Sequence, residues 1–148
     1  MTALSADKTS MVKLGLPQLT IPLLMTASTT IWAGSLVSIV TATGLAVASA
    51  DTAAHVFMGI AKKKVVSAAT GDYFVEVETN GVFRLLSDLT VAQTHMGVKV
   101  VVKDSSIVTN AAGATNDIPV GIVVGIPLVG GSELDVLIEP AGGLGGSA

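Results

Sequence analysis

The sequence predicts an all-β domain built from hairpins, and two observations carry this prediction. Short runs of β-branched and aliphatic residues recur about every eight to twelve positions, separated by Gly, Asn, Asp, Ser and Thr. No amphipathic stretch of helix length lies between these runs. With 148 residues, the chain is long enough for one domain with a hydrophobic core.

Twelve segments have the composition and alternation of strands. They are Leu19–Leu24, Thr30–Trp32, Leu36–Thr41, Leu45–Ala48, Val56–Ala61, Lys64–Ser67, Tyr73–Glu78, Val82–Leu86, Val98–Lys103, Ile107–Thr109, Val120–Ile126 and Leu134–Glu139. In the last segment, Leu134, Val136 and Ile138 alternate with more polar neighbours, as in a half-buried strand.

One hairpin can be predicted in detail, because Asn80-Gly81 lies between two of these segments. A two-residue loop would place charges on the apolar face of the hairpin. A three-residue loop with Gly81 in the left-handed region instead pairs Val77 with Phe83 and Glu76 with Arg84. We therefore expect the three-residue loop.

The predicted domain is residues 18–140, flanked by two segments of different character. Residues 1–17 mix charges with five exposed aliphatic residues, which is consistent with a frayed terminus or with an arm that becomes ordered on a neighbour. Residues 141–148 are rich in Gly, so we expect a flexible tail. One short helical turn is predicted from Val91 to Met96, capped by Ser87 or Asp88 and ended by Gly97.

The composition indicates a protein that buries part of its surface against other subunits. Hydrophobic residues make up 50% of the chain and charged residues only 13%, about half the usual share. The net charge of −3 argues against a nucleic-acid partner, and the lack of Cys excludes disulfides. Residues 14–50 are uncharged, but frequent Ser and Thr with Gly34 and Gly44 favour strands over a membrane span.

No candidate for catalysis or for binding of a metal or cofactor emerges from the chain. His55 and His95 are the two histidines, and neither lies in a known catalytic motif or among clustered metal ligands. We interpret Asp72, Glu76 and Glu78 as a solvated strand face. The run Lys62–Lys64 could bind phosphate or an acidic subunit, but protection of a strand edge is favoured. Gly121 and Gly125 indicate a bulge or a close backbone approach.

The order of segments resembles head-decoration (capsid cement) proteins of tailed phages and related phage structural proteins. The resemblance covers about residues 19–139 and rests on Thr30–Val37, Gly44–Val47, Ala50–Ala53, Phe57–Ala61, Val75–Val77, Gly81–Leu85, Val91–Gln93 before Gly97, Val98–Asp104 and Pro119–Gly125. The chain departs from the pattern in its apolar start, Met11 to Leu24, and in Lys62–Lys64, where an acidic stretch is usual.

The resemblance implies a small β-barrel or β-tulip without enzymatic activity that binds the outside of a tailed-phage capsid and stabilises the head. The expected partners are the major capsid protein and further copies of the chain, often as a homotrimer. The expected location is the virion surface, after synthesis in the host cytoplasm. The residues expected to contact the capsid lie in the arm: Leu4, Lys8, Met11, Val12, Leu14 and Leu16. The alternatives are a small β-barrel that binds an apolar ligand, and a tail or baseplate component.

Overall fold

The computed structural model of the protein describes Ala6 and residues 19–138. The predicted capsid-contacting residues Leu4, Lys8, Met11, Val12, Leu14 and Leu16 and the predicted tail at 141–148 therefore lie outside the described residues. The described part confirms the all-β prediction, because each of the twelve predicted segments overlaps a strand. The strands are β1 (Thr20–Leu24), β2 (Thr30–Ile31), β3 (Leu36–Val40), β4 (Leu45–Ala48), β5 (His55–Ala61), β6 (Val65–Val66), β7 (Phe74–Glu78), β8 (Gly81–Ser87), β9 (Lys99–Val102), β10 (Ile107–Thr109), β11 (Pro119–Gly125) and β12 (Glu133–Ile138).

The strands form two main layers and a small ribbon. The first half of the chain forms a five-stranded sheet in the order β1-β7-β5-β3-β4, which we call the N-terminal sheet. The second half forms a closed barrel in the order β10-β8-β12-β11-β9. Strands β2 and β6 form a separate antiparallel ribbon. Most neighbours in the barrel are antiparallel, but β10 and β8 pair in parallel and complete its closure.

The central strands β3 and β5 of the N-terminal sheet bury residues on both faces. On one face, Val37, Val75 and Val77 pack with Ile31 of the ribbon in a small core. On the other face, Leu36, Phe57 and Ile60 belong to the same buried cluster as the interior side chains of the barrel. The barrel contributes Phe83, Leu85, Val100, Val102, Val108, Val120, Val123, Leu134, Val136 and Ile138 to this cluster. One continuous core therefore joins the sheet to the barrel.

The predicted hairpin between β7 and β8 is wrong. Strand β7 pairs with β1 along five residues, whereas β8 pairs with β12 along six residues in the barrel. The chain passes from one layer to the other at Thr79 and Asn80. Arg84 consequently lies opposite Asp135, and its Nε is 2.9 Å from Oδ1 of that residue, so the predicted pair with Glu76 does not form. Pairing between strands distant in sequence replaced the local hairpin.

The predicted glycine bulges and the short helical turn before Gly97 are present, but the predicted cap is wrong. The N-cap residue is Ala92, and the Ser87 hydroxyl accepts from the Leu89 amide instead. The turn is a 3-10 helix over Gln93–His95, and Gly97 has a φ of 78°. His95 supports the turn, because its Nδ1 accepts a hydrogen bond from the Ala92 amide at 3.0 Å. Strand β11 changes register between Pro119 and Gly121 and again between Val123 and Gly125, so both glycines mark bulges.

Replacement of Phe57 tests the shared core. Because Phe57 is 1% exposed and belongs to the cluster that joins both layers, Phe57→Ala should lower the free energy of unfolding by about 3–5 kcal/mol. Urea denaturation followed by fluorescence and circular dichroism measures this loss. The matched control is Phe74→Ala, since Phe74 is 54% exposed on β7 and should cost less than about 0.5 kcal/mol. Equal losses for the two variants would contradict the assignment of the core.

Candidate interaction surface

The outer side of the barrel carries a group of exposed apolar side chains, which we call the apolar barrel surface. Its members are Met96, Ile122, Val124, Leu128 and Val129. Leu128 and Val129 are the most exposed, at 69% and 61%. They belong to the loop that joins β11 to β12. The surface has the composition of a protein contact region rather than that of a solvated loop.

Three elements carry these side chains along the outer side of the barrel. Ile122 and Val124 point outward from β11, two residues apart on the same face. The segment before β9 runs beside them, because the Gly97 amide donates to the Val123 carbonyl at 2.9 Å. Met96 therefore lies next to this end of β11.

The loop between β11 and β12 is held against the same segment. The Gly130 amide donates to the Val91 carbonyl at 2.7 Å, and the Val91 amide donates to the Gly131 carbonyl at 3.1 Å. Val91 itself is buried in the barrel core. These bonds keep Leu128 and Val129 beside the turn that carries Met96.

The charged side chains nearest to β11 are used within the chain. Lys99, which lies opposite Ile122, has its Nζ 2.9 Å from Oδ2 of Asp117. Arg84 and Asp135 form a two-point pair, with the second contact at 3.4 Å between Nη2 and Oδ2. The hydrogen bond from Arg84 to Asp135 is the main cause that raises the pKa of the guanidinium above its ordinary value. Arg84 and Lys99 are thus each paired with a carboxylate of their own chain.

Both ends of the described domain lie at the opposite end of the barrel. The Leu19 amide donates to Asn80 Oδ1 at 2.9 Å, and the Leu19 carbonyl accepts from both the amide and the hydroxyl of Thr79 at 2.9 Å. Ile138, the last described residue, pairs with Gly81. Leu19 and Ile138, the ends of the described range, therefore both lie beside Thr79–Gly81, away from Leu128 and Val129.

Asp51 connects the loop after β4 to the loop before β11. Its carboxylate accepts hydrogen bonds from the Thr115 and Asn116 amides, both at 2.7 Å, and from Asn116 Nδ2 at 3.1 Å. Burial alone would raise the pKa of the Asp51 carboxyl. The hydrogen bonds from the two loop residues and the charge of Lys103 outweigh it, so this pKa lies below its ordinary value of 3.8.

The structure does not gather the chemically reactive residues singled out in the sequence. His55 lies in β5 of the N-terminal sheet and His95 in the turn before β9. Glu76 and Glu78 lie on the outward side of β7, and the described residues contain no cluster of three or more potential metal ligands. Within residues 19–138 there is also no helix with the length and hydropathy needed to span a bilayer.

The lysine run lies in the exposed connection between β5 and β6. The Lys62 amide donates to the Glu76 carbonyl at 2.9 Å, which ties the connection to β7. The ammonium group of Lys64 is 3.9 Å from the centre of the Trp32 ring, a cation–π contact. One of the three lysines therefore has an aromatic partner within its own chain.

Sequence reasoning missed the apolar barrel surface, although a signal for it was present. Residues 118–132 and 89–98 contain no Asp, Glu, Lys or Arg. These are the two segments that meet at this end of the barrel. The lack of charge in the two segments can be seen in the sequence, but their proximity in the folded chain cannot.

A scan against models of known protein families found no match, and a search of curated proteins found no relative.

Replacement of Asp51 should weaken the link between the two loops. Asp51→Asn places an amide NH₂ against backbone N–H donors, so the free energy of unfolding at pH 7 should fall by about 1–2 kcal/mol. The lowered pKa means that the carboxylate stabilises the fold above about pH 4 and that this contribution disappears as the pH falls further.

Urea denaturation between pH 2.5 and pH 7 measures this effect. The difference in the free energy of unfolding between wild type and Asp51→Asn should become smaller below about pH 4. The control variant is Asp72→Asn, at an exposed position, which should track the wild type throughout. A difference for Asp51→Asn that stays constant down to pH 2.5 would contradict a role for the ionised carboxylate.

Proposed function

We propose that this chain is a structural virion protein that binds the outside of a tailed-phage capsid and stabilises the head. The observation that carries the proposal is that nine large hydrophobic side chains are exposed among the described residues of a chain with very few charges. Such a surface is stabilised when other subunits cover it. The resemblance of the segment order to head-decoration proteins is the reason for proposing a phage capsid as the assembly.

The filled interior of the barrel supports a role based on surface contacts over the alternative of ligand binding. Phe83, Leu134, Val136 and Ile138 are all at most 1% exposed and occupy the interior together with the β9 and β11 side chains. Barrels need about eight strands before their interior is wide enough to hold even one small ligand, and this one has five. The apolar excess is therefore better explained by contacts with other subunits.

In the proposed role, the N-terminal arm contacts the coat protein. Met11, Val12, Leu14 and Leu16 would supply apolar contacts, together with Leu4 and Lys8. An oligomer, expected from the resemblance to be a trimer, would bind the shell through several arms at once. Multivalent attachment then converts modest single contacts into tight clamping. A tail or baseplate component with the same fold is the second candidate.

Removal of the arm tests this proposal. A variant lacking residues 1–16 should keep its strand content by circular dichroism, since the first described strand begins at Thr20, but should no longer cosediment with purified, emptied heads of the source phage. The full chain is the positive control and should bind the heads saturably.

Two results would contradict the proposal. Undiminished head binding by the truncated protein would show that the arm is not needed for capsid contact. Failure of the full chain to bind heads at any concentration would remove the decoration function itself, and electron microscopy of tails and baseplates would then test the second candidate.

A further inference from the structure

We propose that Asn80 is a site of spontaneous deamidation, and that the hydrogen bond from the Leu19 amide restrains this reaction in the folded chain. The asparagines of the chain are Asn80, Asn110 and Asn116, and only Asn80 is followed by Gly. Asparagine is a thermally labile residue, and a following glycine favours its reaction because no side chain hinders the attacking nitrogen. The inference does not depend on the proposed function.

The reaction needs only these two residues and water. The Gly81 amide nitrogen gives up its proton and bonds to Cγ of Asn80, while the Cγ–Nδ2 bond breaks and the side-chain amide leaves as ammonia. Water then opens the resulting five-membered imide at one of its two carbonyls. The product is an aspartate or an isoaspartate at position 80, and no oxidant or reductant takes part.

The attacking nitrogen is held in the barrel. Gly81 is buried at the start of β8, opposite Ile138 of β12. Continuing this register to the other end of β8, the Ser87 amide donates to the Ser132 carbonyl at 2.7 Å. Because hydrogen-bonded pairs alternate along an antiparallel ladder, the Gly81 amide occupies a bonding position that faces β12. This nitrogen must leave the ladder before it can reach Cγ of Asn80.

The side-chain amide under attack is held by Leu19. The Leu19 carbonyl accepts from the Thr79 amide at 2.9 Å, which extends the pairing of β1 with β7 by one residue. The Leu19 amide donates to Asn80 Oδ1, also at 2.9 Å. Rotation of the Asn80 side chain toward the Gly81 nitrogen breaks this bond. Loss of the Leu19 donor should therefore make the reactive geometry easier to reach.

The two products have different consequences for Leu19. An aspartate keeps a side-chain oxygen at the place of Oδ1, so the Leu19 amide retains its acceptor. In an isoaspartate the main chain runs through Cγ, which adds one carbon to the connection between β7 and β8 and removes that acceptor. This connection carries the chain from the N-terminal sheet into the barrel. We therefore expect isoaspartate formation to release Leu19 from Asn80.

Peptide mapping of the full chain tests the proposal. Trypsin cleaves after Lys64 and Arg84 and releases residues 65–84, a peptide in which Asn80 is the only amide side chain. Replacement of NH₂ by OH raises the mass of this peptide, and enzymatic methylation of the free α-carboxyl identifies isoaspartate. Incubation in mildly alkaline buffer, with and without guanidinium chloride, gives the rates for the unfolded and the folded chain. We expect the unfolded chain to react faster.

The matched variants Leu19→Pro and Leu19→Ala isolate the hydrogen bond to Asn80. Proline has no N–H and removes the donor, whereas alanine keeps it, and both variants lose a side chain that is 60% exposed. Folded Leu19→Pro should deamidate at Asn80 about fivefold faster than folded Leu19→Ala, the effect of losing one hydrogen bond. Deletion of residues 1–19, compared with deletion of residues 1–16, removes the same donor by a second route.

The rates at Asn110 and Asn116 in the same digests separate a local effect from unfolding, because unfolding would raise all three rates. Two results would overturn the deamidation site itself: an unmodified Asn80 in the unfolded chain, or equal rates in the folded and unfolded chains. The role of Leu19 would be refuted by a rate for Leu19→Pro that is equal to or below that of Leu19→Ala. If Leu19→Pro raises all three rates, equal rates at Asn80 in the two deletion variants would refute it.

Discussion

The packing of the N-terminal sheet against the barrel is the constraint on which the other features depend. Because β3 and β5 bury both faces, alternate residues of one strand enter two different cores, as Leu36 and Val37 do. The face of the sheet that carries Phe57 and Ile60 packs against the interior side chains of the barrel. Once these interior positions are filled, the remaining apolar residues of the barrel have only the outer surface available.

The strands could be predicted from the sequence because their signal is local. Leu134, Val136 and Ile138 alternate with polar neighbours, and all three are buried as that pattern indicates. The pairing of strands could not be predicted in the same way. Phe83 lies opposite Val136, more than fifty residues away, instead of Val77 across the Asn80-Gly81 turn. The turn residues favoured a local hairpin, but β7 pairs with β1 over five residues and β8 with β12 over six, which places Phe83 and Leu85 in the barrel core.

The apolar barrel surface shows why the candidate site was harder to predict than the fold. Simple alternation from Val120 would place Val120, Ile122 and Val124 on one buried face. The bulge between Pro119 and Gly121 shifts the register, so that Val120 and Val123 are buried while Ile122 and Val124 point outward. Gly121 permits the bulge, because a Cβ at this position would collide with the Leu137 carbonyl. A backbone irregularity, rather than composition, creates the surface.

The two ends of the barrel differ in what they carry. Leu19 and Ile138, the ends of the described range, lie beside Asn80 and Gly81, while Leu128 and Val129 occupy the far end. The backbone bonds of Leu19 to Thr79 fix where the described domain begins. The bulge at Gly121 decides which side chains of β11 remain exposed after the barrel interior is filled. Two backbone features, distant from each other along the chain, therefore set what each end of the barrel presents to its surroundings.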